Sequence, residues 1–274
     1  MKIFSLLKSD VSLNPHPKED YFVISKKHPI FVVADGVSLD FDNENDYPKH
    51  SGAGKAAKIF CEVVMSEAEK KCENFKEKNL EEIFELGNKA VLEYNISQGR
   101  TEDTINYFDF DLFSATTSFV LIKNNKAYWW SLCDSGAAVF DKNGKKMFNS
   151  PGGWINFPKD WSEKRGEKEK IIERHRDYRN AIGKTGKLIG YGVADGEESA
   201  KYYLNKGVLD ISAGDIAFVY TDGFENYFGL EEFVNLFKLW PKNVKNQLEK
   251  IIFEKSKTDP GKYGREKTII AISI

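Results

Sequence analysis

Two short apolar runs in this chain stop in the same way. Phe31-Val32-Val33-Ala34 ends at Asp35-Gly36, and Ala217-Phe218-Val219-Tyr220 ends at Thr221-Asp222-Gly223. A continuous apolar run of this length reads as a buried strand. Each would deliver a carboxylate at its tip and then bend at once through glycine. A third run, Ala127 to Cys133, closes on Asp134 in a similar manner. Asp-Gly is also a common hairpin turn, so one occurrence alone carries no chemistry. Several acids at one poorly solvated rim, however, would repel one another unless a cation sat between them. Oxygen-only ligands suit the hard ions Mg²⁺ or Mn²⁺ rather than zinc, and Gly36 lets its carbonyl approach such an ion.

The neighbouring segments feed the same rim. Residues 2–7 and 21–25 read as strands, with a turn-rich Ser12-Leu13-Asn14-Pro15-His16-Pro17 between them. The short turn Lys26-Lys27-His28-Pro29 suits an antiparallel hairpin with the strand that ends at Asp35. In such a hairpin the start of one strand lies beside the end of the other, so Glu19 or Asp20 meets Asp35.

An acidic, turn-rich loop spans 38–50. The spacing of Ala56, Ile59, Phe60, Val63 and Val64 then predicts a helix capped by Ser51. A second helix is expected to start with Asn79 as cap and Glu82 three residues on, with Leu80, Ile83, Phe84, Ala90, Val91 and Tyr94 on its apolar face. Strands follow at 116–122, 127–133, 137–140 and 146–148, the last two joined by the hairpin signal Asn143-Gly144. Residues 150–190 are rich in Gly, Lys, Glu and Arg, with an exposed helix expected near 163–176. Arg174, Arg176, Arg179 and Lys184 are candidate phosphate ligands there, but a solvated, mobile insert accounts better for the charge. Asp109-Phe110-Asp111 reads as an acidic loop. Helices near 230–239 and 243–255 are split by Pro241, and Thr268–Ile274 is a closing strand. Hairpins grouped apart from helix pairs make the class α+β, with antiparallel sheets covered by helices.

At 274 residues the chain can bury one sizeable core, and no repeat or linker divides it, so residues 1–274 are expected to form a single domain. The net charge of −2 offers no general attraction to nucleic acid or to an anionic membrane. The longest apolar stretches are strand-sized, and Ile3–Leu7 is too short for a signal-peptide core. Cys61, Cys72 and Cys133 have no zinc spacing and suit reduced thiols in the cytoplasm.

The order of the acids resembles that of metal-dependent protein phosphatases of type 2C, the PPM family. The resemblance rests on Glu19-Asp20, Asp35-Gly36, Ser114-Ala115-Thr116-Thr117, Leu132-Cys133-Asp134-Ser135 and Thr221-Asp222-Gly223. Gly264-Arg265-Glu266-Lys267-Thr268 looks like an altered form of the family's last acidic motif. The resemblance implies a four-layer α-β-β-α sandwich, two antiparallel sheets flanked by helix pairs. It also implies hydrolysis of phosphoserine and phosphothreonine in proteins by water activated between two Mn²⁺ or Mg²⁺ ions, with a weaker third. Asp35 would bridge both ions, Glu19 and the Gly36 carbonyl would complete one site, and Asp222 would serve the other. Asp20 would orient water, and Asp134 would help the third ion. The implied partners are a phosphorylated protein and a cognate Ser/Thr kinase.

The sequence also departs from the family. Pro15 stands where many members carry a phosphate-gripping arginine, leaving Lys18 or His16 to compensate. Val37 replaces a histidine, and Cys133 and Gly136 replace a glycine and an arginine. Arg265 stands where an aspartate ligand is usual, so either Glu266 reaches the metal with its longer arm or one site lacks an anion; a cationic Arg265 there would weaken the metal yet could bind phosphate directly. Arg179 is a further candidate for substrate binding. Two other readings follow: a phosphatase-like binding or regulatory module without turnover, and an unrelated phosphotransferase using Asp109 and Asp111.

Overall fold

The computed structural model describes residues 1–8, 18–37, 51–156 and 168–274. The turn at 12–17, with Pro15 and His16, the loop at 38–50 and the expected helix start at 163–167 lie outside the described residues.

The chain opens with β1 (Lys2–Lys8), β2 (Asp20–Ile24) and β3 (Ile30–Val37), followed by α1 (Gly52–Lys71) and α2 (Asn79–Ser97). Strands β4 (Ser114–Lys123), β5 (Lys126–Leu132), β6 (Gly136–Phe140) and β7 (Lys146–Asn149) come next. After α3 (Lys168–Asp177) and the short pair β8 (Ala181–Ile182) and β9 (Leu188–Ile189) come β10 (Asn205–Asp210) and β11 (Ile216–Tyr220). Helices α4 (Glu231–Leu239), α5 (Val244–Thr258) and α6 (Pro260–Tyr263) precede β12 (Lys267–Ser273). One antiparallel sheet has the order β10-β5-β4-β3-β2, the other β1-β12-β11-β6-β7.

Strand periodicity explains the layering. In β3, Val32 and Ala34 pack with Phe60, Phe84 and other residues of α1 and α2, whereas Phe31 and Val33 face Val219, Ile270 and Ile272 of the second sheet. On the far side of that sheet, Phe218, Ile269 and Ala271 pack with Phe233, Phe237 and Leu248 from α4 and α5. Both faces of the central strands are therefore buried, which is why their sequences read as unbroken apolar runs. Each large side chain buried this way contributes about 1.5–3 kcal/mol. The result is the expected α-β-β-α sandwich.

Local signals are met in most places. Ser51 caps α1, its hydroxyl accepting from Gly54 N–H at 3.0 Å. Asn79 is instead the first helical residue of α2; its Oδ1 accepts from Lys76 N–H and its amide donates to Glu82. The expected bend at Asp35-Gly36 is absent, because β3 stays paired with β4 through Val37↔Ser114. Glycine is needed at position 36 for close approach: a Cβ there would lie 2.5 Å from the Ala53 carbonyl carbon. That contact seats the start of α1 against the strand carrying Asp35.

Candidate active site

The acids gather at one end of the sandwich because of strand direction. Asp20 opens β2 and sits directly opposite Asp35, which lies near the end of β3. Asp134 lies in the link from β5 of the first sheet to β6 of the second, following Cys133, whose φ is +60°. Asp222 follows β11, and Glu266 immediately precedes β12, the neighbour of β11.

Hydroxyls and amides fix these carboxylates. Thr221 Oγ1 donates to Asp20 Oδ2 at 2.8 Å and accepts from Thr268 N–H at 2.9 Å, so one threonine ties the two sheets together. Ser51 Oγ donates to Glu19 Oε1 at 3.0 Å, linking Glu19 to the start of α1. Thr116 and Ser135 share a hydrogen bond of 2.7 Å within the cleft floor.

The electrostatics are those of charge without enough compensation. Burial pushes the Asp35 carboxyl well above the usual range, and the charges of Asp20, Asp222, Asp134 and Glu19 push it further. Burial and then the charge of Glu266 do the same to Asp20. Glu19 is raised to about 7 by burial, with Ser51 opposing, and Asp134 to about 6 by burial and Asp222. Asp20, Asp35, Glu19 and Asp134 are therefore held where losing a proton is unfavourable unless a cation arrives.

The donor set is oxygen throughout, and Asp134 Oδ1 is buried with no hydrogen-bond partner. Both features suit a hard divalent ion. Among the described residues, no three such side chains are already disposed as a metal-holding group. Two of the candidate ligands have other partners. Arg265 Nη1 donates to Asp222 Oδ2 at 2.5 Å, putting a guanidinium among the acids. Glu266, expected as a metal ligand, turns Oε2 to the N–H groups of Glu19 and Asp20 at 2.8 and 3.1 Å. That oxygen is an anchor for β2 rather than a ligand atom.

The cleft beside the acids is lined by Val37, Thr116, Cys133, Asp134, Trp154, Arg174, Tyr191, Asp222 and Arg265. An adjoining hollow shares Asp134, Trp154, Asp222 and Arg265 and adds Glu225, Asn226 and Lys262. Lys18, expected to bind substrate, contributes its carbonyl to Ser51 N–H and is not among these lining residues.

Arg179 is the clear correction. It is buried, donating from Nη1 to Asp111 Oδ2 at 2.7 Å and lying 3.3 Å from Asp195 through Nε, and it is not among the residues that line the cleft. Asp111 is likewise fully buried, held by Arg179 and His175, which takes it out of any nucleophile pair with the exposed Asp109. Within the described part of the 150–190 segment, Ile172, His175, Arg179 and Asn180 are buried. Sequence reasoning missed Trp154 and Tyr191, whose rings lie 5.0 Å apart at the cleft wall. Isolated aromatics in a charged segment carry no periodic signal.

A sequence profile of the family described as Protein phosphatase 2C matches residues 14–150. Among solved structures, the serine/threonine phosphatase PstP/Ppp of Mycobacterium tuberculosis aligns over 100% of this chain and 98% of its own, at 12% identity and a TM-score of 0.64. PstP has also been solved as a catalytic domain in complex with two manganese ions, with a TM-score of 0.59, 12% identity and coverage of 98% and 96%. The serine/threonine phosphatase Stp1 of Staphylococcus aureus gives a TM-score of 0.58 at 12% identity, covering 100% of this chain and 94% of its own. No sequence among curated proteins matches this chain.

Proposed function

As this chain belongs to the protein phosphatase 2C family, we propose that it hydrolyses phosphoserine and phosphothreonine in proteins with the help of Mn²⁺ or Mg²⁺. The observation that carries the reading is the Asp20↔Asp35 pair meeting Asp134 from the link between the sheets and Asp222 from the second sheet, each of Asp20, Asp35 and Asp134 raised in pKa by burial and by its neighbours. When bound, such ions lower the pKa of the attacking water and neutralise phosphoryl charge.

Asp35, Glu19 and the Gly36 carbonyl are the residues to hold one ion, with Asp222 and Asp134 available to others. Asp20, fixed by the Thr221 hydroxyl, orients the attacking water. The guanidinium of Arg265 faces the cleft and supplies positive charge for the phosphoryl oxygens, and Lys18 is retained as a further cation for substrate. Residues 1–274 act as one catalytic unit, and a cognate Ser/Thr kinase supplies the phosphorylated protein. A cytoplasmic setting suits the three free, buried cysteines. No described helix is long and apolar enough to cross a membrane, and the net charge of −2 gives no basis for nucleic-acid binding.

The Arg265–Asp222 pair favours a second reading, a phosphatase-like binding or regulatory module with weakened turnover. Manganese titration by calorimetry together with turnover of an aryl phosphate separates the two. Metal binding with metal-dependent hydrolysis supports the enzyme; metal binding without hydrolysis, or no metal binding, supports the module.

A further inference from the structure

Helix α3 carries a guanidinium into the cleft through a buried chain of polar groups that the acids do not require. Asp111 is fully buried, and its Oδ2 takes hydrogen bonds from Arg179 Nη1 and from His175 Nδ1, each at 2.7 Å. A carboxylate acceptor at Nδ1 fixes the proton on that nitrogen and leaves Nε2 as an acceptor. The Nε2 lone pair meets Arg174 Nη2 at 3.0 Å. His175 is itself buried, and its ring packs edge-on against Tyr191 with centroids 6.4 Å apart. Burial lowers its pKa to about 4, so the ring is neutral and the tautomer persists at ordinary pH. Arg174 shares the cleft with Cys133, Asp134, Trp154, Tyr191 and Arg265.

A buried carboxylate and a buried imidazole are costly to fold, and leaving either without partners would cost more. Arg179 and Asn180 already meet much of this need: Arg179 compensates Asp111, and Asn180 binds Asp195 and the Val193 backbone. The remaining acceptor, His175 Nε2, is spent on the guanidinium that lines the cleft.

We propose that Arg174 binds the phosphoryl group of the substrate from the α3 wall of the cleft, with His175 as its positioning residue. This rests on the phosphatase reading for the substrate class. It supplies the planar, bidentate cation that Pro15 does not provide near the start of the chain. Arg174 touches substrate; His175 acts only through Arg174.

The test measures binding and turnover separately, using the full chain with Mn²⁺. A fluorescent phosphoserine peptide and its unphosphorylated counterpart report equilibrium binding, and release of phosphate from the same peptide reports kcat and KM. Loss of one charge-assisted bidentate contact should weaken phosphopeptide binding about tenfold or more in Arg174→Ala. Binding of the unphosphorylated peptide should not change, and the loss in turnover should fall more on KM than on kcat. Arg174→Lys keeps the charge and recovers only part of the loss, which covers the case in which the alanine variant does not fold. His175→Gln can still donate to Asp111 and accept from Arg174, so it should retain tighter phosphopeptide binding than His175→Ala.

Phosphopeptide binding equal in wild type, Arg174→Ala and Arg174→Lys would overturn the proposal, as would a wild-type protein with no preference for the phosphorylated peptide. Equal binding by His175→Gln and His175→Ala would overturn the positioning role. A wild type that binds phosphopeptide through Arg174 without hydrolysing it would support this proposal while refuting the enzymatic reading. Hydrolysis that is indifferent to Arg174 would do the reverse.

Discussion

Arg265 donates from Nη1 to Asp222 Oδ2 at 2.5 Å, and its charge also acts on Asp134 and Asp35. The guanidinium is more than half exposed, so the pair itself adds only about 0–1 kcal/mol to folding. Its effect on an incoming cation is larger, because it sets a like charge beside the ion and occupies a candidate ligand. Arg265→Asp should tighten Mn²⁺ about tenfold or more in a calorimetric titration, with little change in melting temperature. Unchanged manganese affinity would mean that Arg265 and the metal do not compete.

Asp35 and Asp222 differ in what they contribute without metal. Asp35 lies among acids that raise its pKa, so Asp35→Asn removes repulsion and should leave the metal-free melting temperature equal or higher. Asp222→Asn removes the partly exposed pair with Arg265 but also the charge that acts on Asp35 and Asp134, and should cost less than about 1 kcal/mol. Each variant should nevertheless lose nearly all metal-dependent phosphatase activity. Near-normal turnover by either would exclude that residue from the catalytic group.

The raised carboxyl pKa values set the pH dependence of the metal-free protein. Glu19 at about 7 and Asp134 at about 6 bind protons in the folded state that the unfolded chain has already released. Between about pH 4.5 and 7 the folded state thus holds more protons, and stability falls as pH rises. His175 has the opposite sign: its pKa of about 4 lies below its ordinary value, so its contribution grows as pH rises from about 4 to 6.5. Asp20 and Asp35 add to the falling side, so the acids prevail. In chelator, melting temperature should decline from about pH 5 to 7.5, and Mn²⁺ should restore more at the upper end. A metal-free protein that grows more stable across this interval would contradict the acidic cluster as described.

Gly36 tests the seating of α1 against the active strand. A Cβ at this position would stand 2.5 Å from the Ala53 carbonyl carbon and 2.7 Å from Gly54 N. These are backbone atoms of the first turn of α1 and cannot rotate aside. Gly36→Ala should destabilise the protein by about 1–3 kcal/mol in chemical denaturation. It should also weaken metal binding, because Glu19 is tied to the same helix start through Ser51.

The layers and the acid rim were legible because they depend on local pattern. Val32 and Phe31 occupy opposite faces of one strand, and the unbroken run Phe31–Ala34 shows that both faces are covered. The short Lys26–Pro29 turn was enough to place Asp20 against Asp35. Contacts between distant segments were not legible. Nothing near Arg179 indicates that Asp111 and Asp195 await it, and a buried arginine has the same local sequence as an exposed one. The bend expected at Gly36 fails for the same reason: its Asp-Gly context matches a turn, whereas the constraint comes from Ala53 on another element.

Glu266 distinguishes a backbone anchor from a metal ligand. Its Oε2 accepts from the N–H groups of Glu19 and Asp20, so it determines where both acids sit before any ion arrives. Glutamine can retain a carbonyl acceptor at that point while shedding a charge that raises the pKa of Asp20 and Glu19. Glu266→Gln should therefore fold with near-native stability. Glu266→Ala leaves two inward-facing donors without their acceptor and should lose about 2–4 kcal/mol, taking about 1–2 kcal/mol for each. Manganese affinity should fall in Glu266→Ala, where β2 loses its anchor, and hold in Glu266→Gln. If affinity instead drops to the same extent in both while stability is preserved in both, the carboxylate reaches the ion directly and the anchor is not its principal task.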